Sequence, residues 1–191
     1  MMVFGDVRSE SARERIKRAL RAILFERRLV DITVSDVARA ARMSRTTFYA
    51  NYRNTGEVYE DLVLDFQRDI QTVPERLSCA ACHGRPNAVP FCEKVRNAGE
   101  YAGVVGDPMF SNVWIDLVDS AARKDYIDRL LAAGATELQA RALFQFQVNG
   151  CLMVAQSPVA DEGDWSEIQR ILDAFIAGGL SSLGANFSVD E

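Results

Sequence analysis

Histidine is almost absent from this sequence: one residue in 191, at position 83. No Ser/Asp pattern surrounds it, no glycine-rich phosphate loop occurs, and the carboxylates are scattered rather than paired. Acid–base, nucleophilic and phosphoryl-transfer sites all need such arrangements, so no enzymatic activity is expected. Long apolar runs are missing as well. No stretch approaches the roughly 20 residues that span a bilayer, and the opening MMVFGDVRSE lacks an apolar run of signal-peptide length. The expectation is a cytoplasmic chain with no membrane partner and with its four cysteines reduced. Proline is scarce too, and four of the five lie between residues 74 and 108. Neither an internal repeat nor a low-complexity tract occurs.

What is present is ordinary in bulk and uneven in distribution. Hydrophobic residues make up 48% and charged residues 26%, as in a globular chain of one small and one medium domain. Residues 1–55 carry 12 Arg and Lys against 6 Asp and Glu, whereas residues 56–191 carry 10 against 21. The net charge of −5 therefore conceals a basic head of +6 on an acidic body of −11. Such a split suits a nucleic-acid-binding domain, residues 1–55, carried by a body, residues 56–191, that avoids nucleic acid.

Within the head, residues 31–54 read DITVSDVARAARMSRTTFYANYRN. Thr33 is placed to cap a helix, with Asp36 three residues later adding a carboxylate to the first turn. Val34, Val37, Ala38 and Ala41 follow at helical spacing. Arg42 and Met43 break the pattern. Ser44 caps a second helix, RTTFYANY, with Phe48 and Tyr52 inward and Arg45, Thr46 and Thr47 at its exposed start. Recognition helices of helix-turn-helix proteins present that end to base edges.

The order Thr33, Val37-Ala38, Ala41, Ser44, Thr47-Phe48-Tyr49, Tyr52, Asn54 resembles the DNA-binding domain of the TetR (tetracycline-repressor) family over roughly residues 9–65. The resemblance implies that Arg45, Thr46 and Thr47 face bases, with Arg45 able to contact guanine through two hydrogen bonds. It implies that Thr33, Tyr49 and Tyr52 hold phosphates, and that Ser44 and Asn51 belong to the same surface. Tyr52 reads equally well as a core residue. Two positions depart from the family: Arg42 stands where a turn glycine is usual, which calls for a left-handed backbone, and Thr55 stands where Lys is usual.

The remaining chain reads as all-α, about nine helices in total. Ser9 or Ser11 caps a first helix to about Arg27, with Ile16, Leu20, Ile23 and Leu24 inward. A long helix runs from Gly56 to about Arg76, ending or kinking near Gln71 ahead of Pro74. Phe91–Ala98 forms a short helix, Pro108 opens a run through Val118, and periodicity resumes towards a stop at Gly134. Thr136 with Glu137 begins a helix to Ala155 that is apolar nearly all round and should be buried at a core or an interface. Ser166 caps the last helix, with Ile168, Ile171, Leu172, Phe175, Ile176 and Leu180 on its inner face.

In the resembling family the last two long helices pair with their copies in a second subunit. Helices near 136–155 and 166–183 are therefore the expected homodimer contact, their small residues Gly150, Cys151, Ala174, Ala177 and Gly178 permitting close approach. The family's body also binds a small-molecule effector. Gln145 and Asn149, polar groups on an apolar helix, together with Phe66, Phe110, Trp114 and Phe146, make the candidate ligand set. Gln145 and Asn149 could equally hydrogen-bond across the dimer interface.

Cys79-Ala-Ala-Cys82-His83 with Cys92 is a further constellation. Three thiolates and an imidazole could bind zinc, a Cys-x-x-Cys pair could act as a redox switch, or the thiols could simply be small apolar groups. No other cofactor is expected. The reading that results is an all-α chain: a three-helix helix-turn-helix head on a helical ligand-binding and dimerisation body. It is expected to be a homodimeric repressor released by an effector from palindromic double-stranded DNA. The alternatives are a metal- or thiol-sensing regulator, or a helical scaffold that does not bind DNA.

Overall fold

The computed structural model describes residues 10–69, 91–117 and 120–182. Among these it contains ten α-helices, a few 3₁₀ turns and no strands, in line with the all-α expectation of about nine. The head comprises α1 (Ala12–Ile23), α2 (Val34–Ala40) and α3 (Arg45–Tyr49), and α4 (Thr55–Asp69) leads into the body. The body continues with α5 (Phe91–Arg96), α6 (Ala102–Val105), α7 (Phe110–Leu117), α8 (Ser120–Ala132), α9 (Glu137–Ala155) and α10 (Trp165–Ser181).

Most helix starts carry a side-chain cap that the sequence announces. Ser11 accepts the Glu14 N–H, Thr33 and Asp36 exchange bonds in a capping box, and Asn54 Oδ1 accepts the Glu57 N–H at 2.9 Å. Thr136 caps the helix that begins at Glu137, as expected, and closes a capping box with Gln139 at N3. One assignment changes. Asp164, not Ser166, caps α10 and accepts the Ser166 N–H at 2.9 Å. Helix α1 ends at Ile23 instead of Arg27, and the chain turns so that the Leu29 N–H meets Asp107 Oδ2 at 2.7 Å. The stretch after Asp69, including the region of Pro74, lies outside the described residues.

Head and body share one continuous core. It runs from Ile16 and Leu20 through Phe48, Val58 and Leu62 to Phe66, Phe110 and Trp114, and on to Phe144 and Leu152. Helix α4 contributes to both ends, packing against α1 of the head and against α7 of the body. Three contacts bind the C-terminal end of α1 to the body around α6. Asp107 takes the Leu29 amide, Arg21 pairs with Glu100 at 2.8 Å, and the backbone of Leu24 and Phe25 lies directly against Gly103. A Cβ at Gly103 would sit 2.7 Å from the Leu24 carbonyl carbon.

The last helix departs from expectation, and α9 leaves the choice between core and interface open. Helix α9 is buried on one side only, with Leu138, Phe146 and Met153 at 77%, 67% and 62% exposure. On α10, Leu180 packs against Leu130 and Ala140 while Ile171 and Phe175 point outward, so its apolar residues do not form a single inner face. The apolar residues encircle these helices more widely than one chain can cover.

Gly103→Ala is expected to destabilise the protein by about 1–3 kcal/mol, since backbone rather than a movable side chain blocks the added methyl. Gly179→Ala, with nothing within 4 Å of its Cβ position, should not destabilise. Denaturant unfolding of the two variants against wild type measures this difference.

Candidate nucleic-acid interface

The second helix of the helix-turn-helix is short, and its geometry follows from local chemistry. Ser44 Oγ accepts the Thr47 N–H at 3.0 Å and lies 2.9 Å from the Thr47 hydroxyl. Before it, Arg42 occupies the left-handed region with φ 53°, as expected for a residue at a glycine position. For a residue with a Cβ this costs about 1–2 kcal/mol. The turn is held by Arg15, which donates to the carbonyls of Ala41 and Arg42 at 2.5 and 3.0 Å. Helix α3 ends at Tyr49, and Asn51 and Tyr52 follow in a turn bonded back to the Phe48 carbonyl.

The eight residues assigned to this surface divide into three groups. Arg45, Thr46, Thr47 and Tyr49 are exposed together on α3. Arg45 lies with its guanidinium 5.8 Å from the Tyr49 ring centre and its Nη2 3.4 Å from the Tyr49 hydroxyl. Thr33 and Ser44 are exposed, yet their hydroxyls serve as helix caps, and Asn51 turns its amide back to the Thr47 carbonyl at 2.8 Å. Tyr52 leaves the surface. It is 2% exposed, and its hydroxyl donates to Asp61 Oδ2 at 2.6 Å. Its two readings are thus resolved towards the core: the inward i+4 position after Phe48 buries the ring, and α4 supplies the acceptor.

Sequence reasoning missed the group that fixes the turn after α3 to α1 and α4. Arg13 reaches Asp61 at 3.1 Å and the Asn51 carbonyl at 3.2 Å, with its guanidinium 4.2 Å over the Tyr52 ring. One turn along, buried Lys17 pairs with Asp65 and Glu14, each at 2.7 Å. Burial alone would raise the Asp61 carboxyl, but hydrogen bonds from Tyr52 and Arg13, with Lys17 nearby, outweigh it and hold the group below its ordinary 3.8. Burial first, and Asp61 second, push the Tyr52 hydroxyl upward, so it remains a donor. The only sequence signal was an acidic residue recurring on α4 opposite basic residues on α1.

The ligand set is not brought together. Phe66, Phe110 and Trp114 pack on one another with ring centres 5.6–6.1 Å apart and are buried. Gln145 and Phe146 face outward and Asn149 is half-buried. A polar residue on the exposed side of α9 needs no internal partner. Gln147 is the buried one, and it accepts from the Tyr126 hydroxyl at 2.7 Å. Of the set, Phe146 lines an apolar recess of about 570 Å³ between α8 and α9, beside Leu130 and Leu143.

Cys79, Cys82 and His83 lie outside the described residues. Cys92 is buried and accepts from the Gln169 amide at 3.4 Å. Cys151 is pushed up to about 11, by burial first and then by Cys92 and Asp173, which keeps it a thiol at neutral pH.

The described residues define a helix-turn-helix head joined through α4 to an all-helical body. No protein-family model and no curated protein matches the chain. Among solved structures, the chain is similar to TetR-family repressors. One is AlkX of Dietzia sp. strain DQ12-45-1b, at 16% identity and TM-score 0.38 over 88% of this chain and 96% of that one. Another is TetR of Acinetobacter baumannii AYE, at 16% identity and TM-score 0.45 over 94% and 97%.

Because the Asp61 carboxyl titrates below its ordinary value when folded, its contribution to stability is present above that value and is lost as pH falls through the folded one. The stability gap between wild type and Asp61→Asn should therefore be wide at pH 7 and narrow steadily below 3.8. Denaturant unfolding at stepped pH reads this directly.

Proposed function

We propose that the protein is a DNA-binding transcription regulator of TetR type, acting as a homodimeric repressor that an effector releases from a palindromic operator. The observation that carries this reading is the open set Arg45, Thr46, Thr47 and Tyr49 on a capped short helix, seated on a head of opposite charge to the body. Arg45 would read a guanine in the major groove, while Tyr49 and nearby backbone amides hold phosphates. Thr33 and Ser44 serve the surface by holding helix starts against the DNA. No catalytic role is assigned to any residue.

The dimer would form through the outward apolar residues of α9 and α10, which supply the surface that one chain leaves uncovered. A two-fold protein then meets two half-sites roughly 34–36 Å apart. Effector binding in the body would act through α4, whose Phe66 packs in the aromatic cluster and whose Asp61 and Asp65 hold α1 and α3. A ligand that favours a different tilt of α4 lowers operator affinity by the difference in its affinity for the two arrangements.

Genomic-fragment capture at fixed salt tests the reading. Wild type should enrich a few palindromic sites. Arg45→Ala should lose about 1–3 kcal/mol and relax preference at one base pair, whereas Tyr49→Ala should weaken all sequences alike. No enrichment over Arg45→Ala by a folded, reduced protein would replace the regulator with a helical scaffold.

Phe175→Glu, at a position 68% exposed, should shift the protein to monomer in analytical ultracentrifugation without loss of helicity. A variant that stays dimeric would move the interface elsewhere.

A further inference from the structure

The head carries a second feature that the recognition surface does not use. Between α1 and α2 runs a groove of about 920 Å³. The two helices pass in opposite directions, so Arg15 of α1 lies beside Ala41 and Arg42, while Arg27 lies beside Asp36. The floor is formed by Ala19, Ala22, Ala40 and Ala41 with Ile23. The walls are charged. Arg15, Arg18 and Arg42 stand at one end, and Glu26, Asp36, Arg27 and Arg39 line the other. Asp36 is occupied there by Thr33, Arg27 and Arg39.

The arginine end is open to a ligand. Arg18, 62% exposed, pairs with Glu10 at 2.7 Å, and the Arg42 side chain makes no hydrogen bond or ion pair among the described residues. Arg42 is also the residue held at φ 53°, so an unfavourable backbone carries a guanidinium to this spot. None of Arg45, Thr46, Thr47 and Tyr49 lines the groove.

We propose that this groove binds a nucleoside phosphate. The phosphates sit among Arg15, Arg18 and Arg42, whose guanidinium forks match phosphate oxygens. The planar base lies on the apolar floor formed by the alanines and Ile23. Amino or hydroxyl donors of the ligand face Glu26. The volume lies within the range of small-molecule sites. A DNA backbone fits less well: its phosphates would leave the apolar floor unused. Occupancy also reaches the turn, because the Arg15 guanidinium that would meet phosphate is the one tying α1 to the carbonyls of Ala41 and Arg42 just before α3. That consequence for DNA binding rests on the regulator reading; the binding itself does not.

Calorimetric titration of the full chain with ATP, pyrophosphate and adenosine, at one salt concentration, tests the site. The variants are Arg18→Ala, Arg42→Gly and the remote control Arg170→Ala. Glycine suits φ 53°, so Arg42→Gly removes the charge while relieving the backbone, and thermal unfolding confirms that the fold is kept. ATP is expected to bind more tightly than pyrophosphate or adenosine, to weaken roughly tenfold in each groove variant, and to be unchanged in Arg170→Ala. Absence of binding, equal binding by Arg42→Gly, or pyrophosphate binding as tight as ATP overturns the proposal. So does displacement of ATP by a random-sequence duplex whose salt slope becomes shallower in Arg42→Gly, which would make the groove a DNA-backbone surface. Wild type that binds ATP but enriches no DNA keeps the site and removes the regulator. Wild type that enriches DNA but binds no ATP does the reverse.

Discussion

The structure depends on α4 being shared. Its residues Val58, Tyr59 and Leu62 lie in the core that head and body share, Tyr59 donating to the Val104 carbonyl of the body, and Phe66 joins the aromatic core of the body. A five-residue α3 has too few turns to be stable alone. It persists because Phe48 and Tyr52 are buried against neighbours and because Asp61 of α4 fixes the Tyr52 hydroxyl. The polar seam of Arg13, Lys17, Asp61 and Asp65 then adds direction to what apolar burial supplies without direction. Any rotation of α4 is thereby imposed on the helix that follows the turn.

The contact at Gly103 sets a second constraint. Backbone meets backbone there, with no side chain available to deform, and Asp107 clamps the Leu29 amide close by. Head and body are consequently in register at two places, one along α4 and one at the end of α1. Motion between them has to be a rotation about these contacts rather than a free swing.

Much of the head was legible because its signals are local. A capping residue, its partner three positions later and a four-residue apolar spacing are all short-range features, and Thr33, Ser44 and Phe48 lie where those features require. The left-handed backbone at Arg42 was legible by a different route, from the resemblance, in which glycine usually holds that turn position. What escaped was long-range. The bond between Tyr52 and Asp61, and that between Leu29 and Asp107, join residues whose neighbours in sequence say nothing about each other. In the body, apolar periodicity identified the helices but not which faces meet. Phe66, Phe110 and Trp114 were grouped with Gln145 and Phe146 by helical spacing alone, and the fold turns the two sets in different directions. Helices that are apolar on more than one side leave their orientation undetermined by pattern, and that is the case for α9 and α10.

The Arg45–Tyr49 contact gives the recognition surface a property of its own. In the unbound protein the guanidinium already rests against an aromatic ring rather than sweeping through solvent. Part of the rotamer entropy that an arginine loses on docking has thus been surrendered before any partner arrives. On the proposed regulator reading, a base edge would compete with a ring face rather than with water, so a weak or mismatched edge would leave the side chain where it was. Discrimination would then be an exchange between two occupied states, with the reference for every base carried by the protein itself.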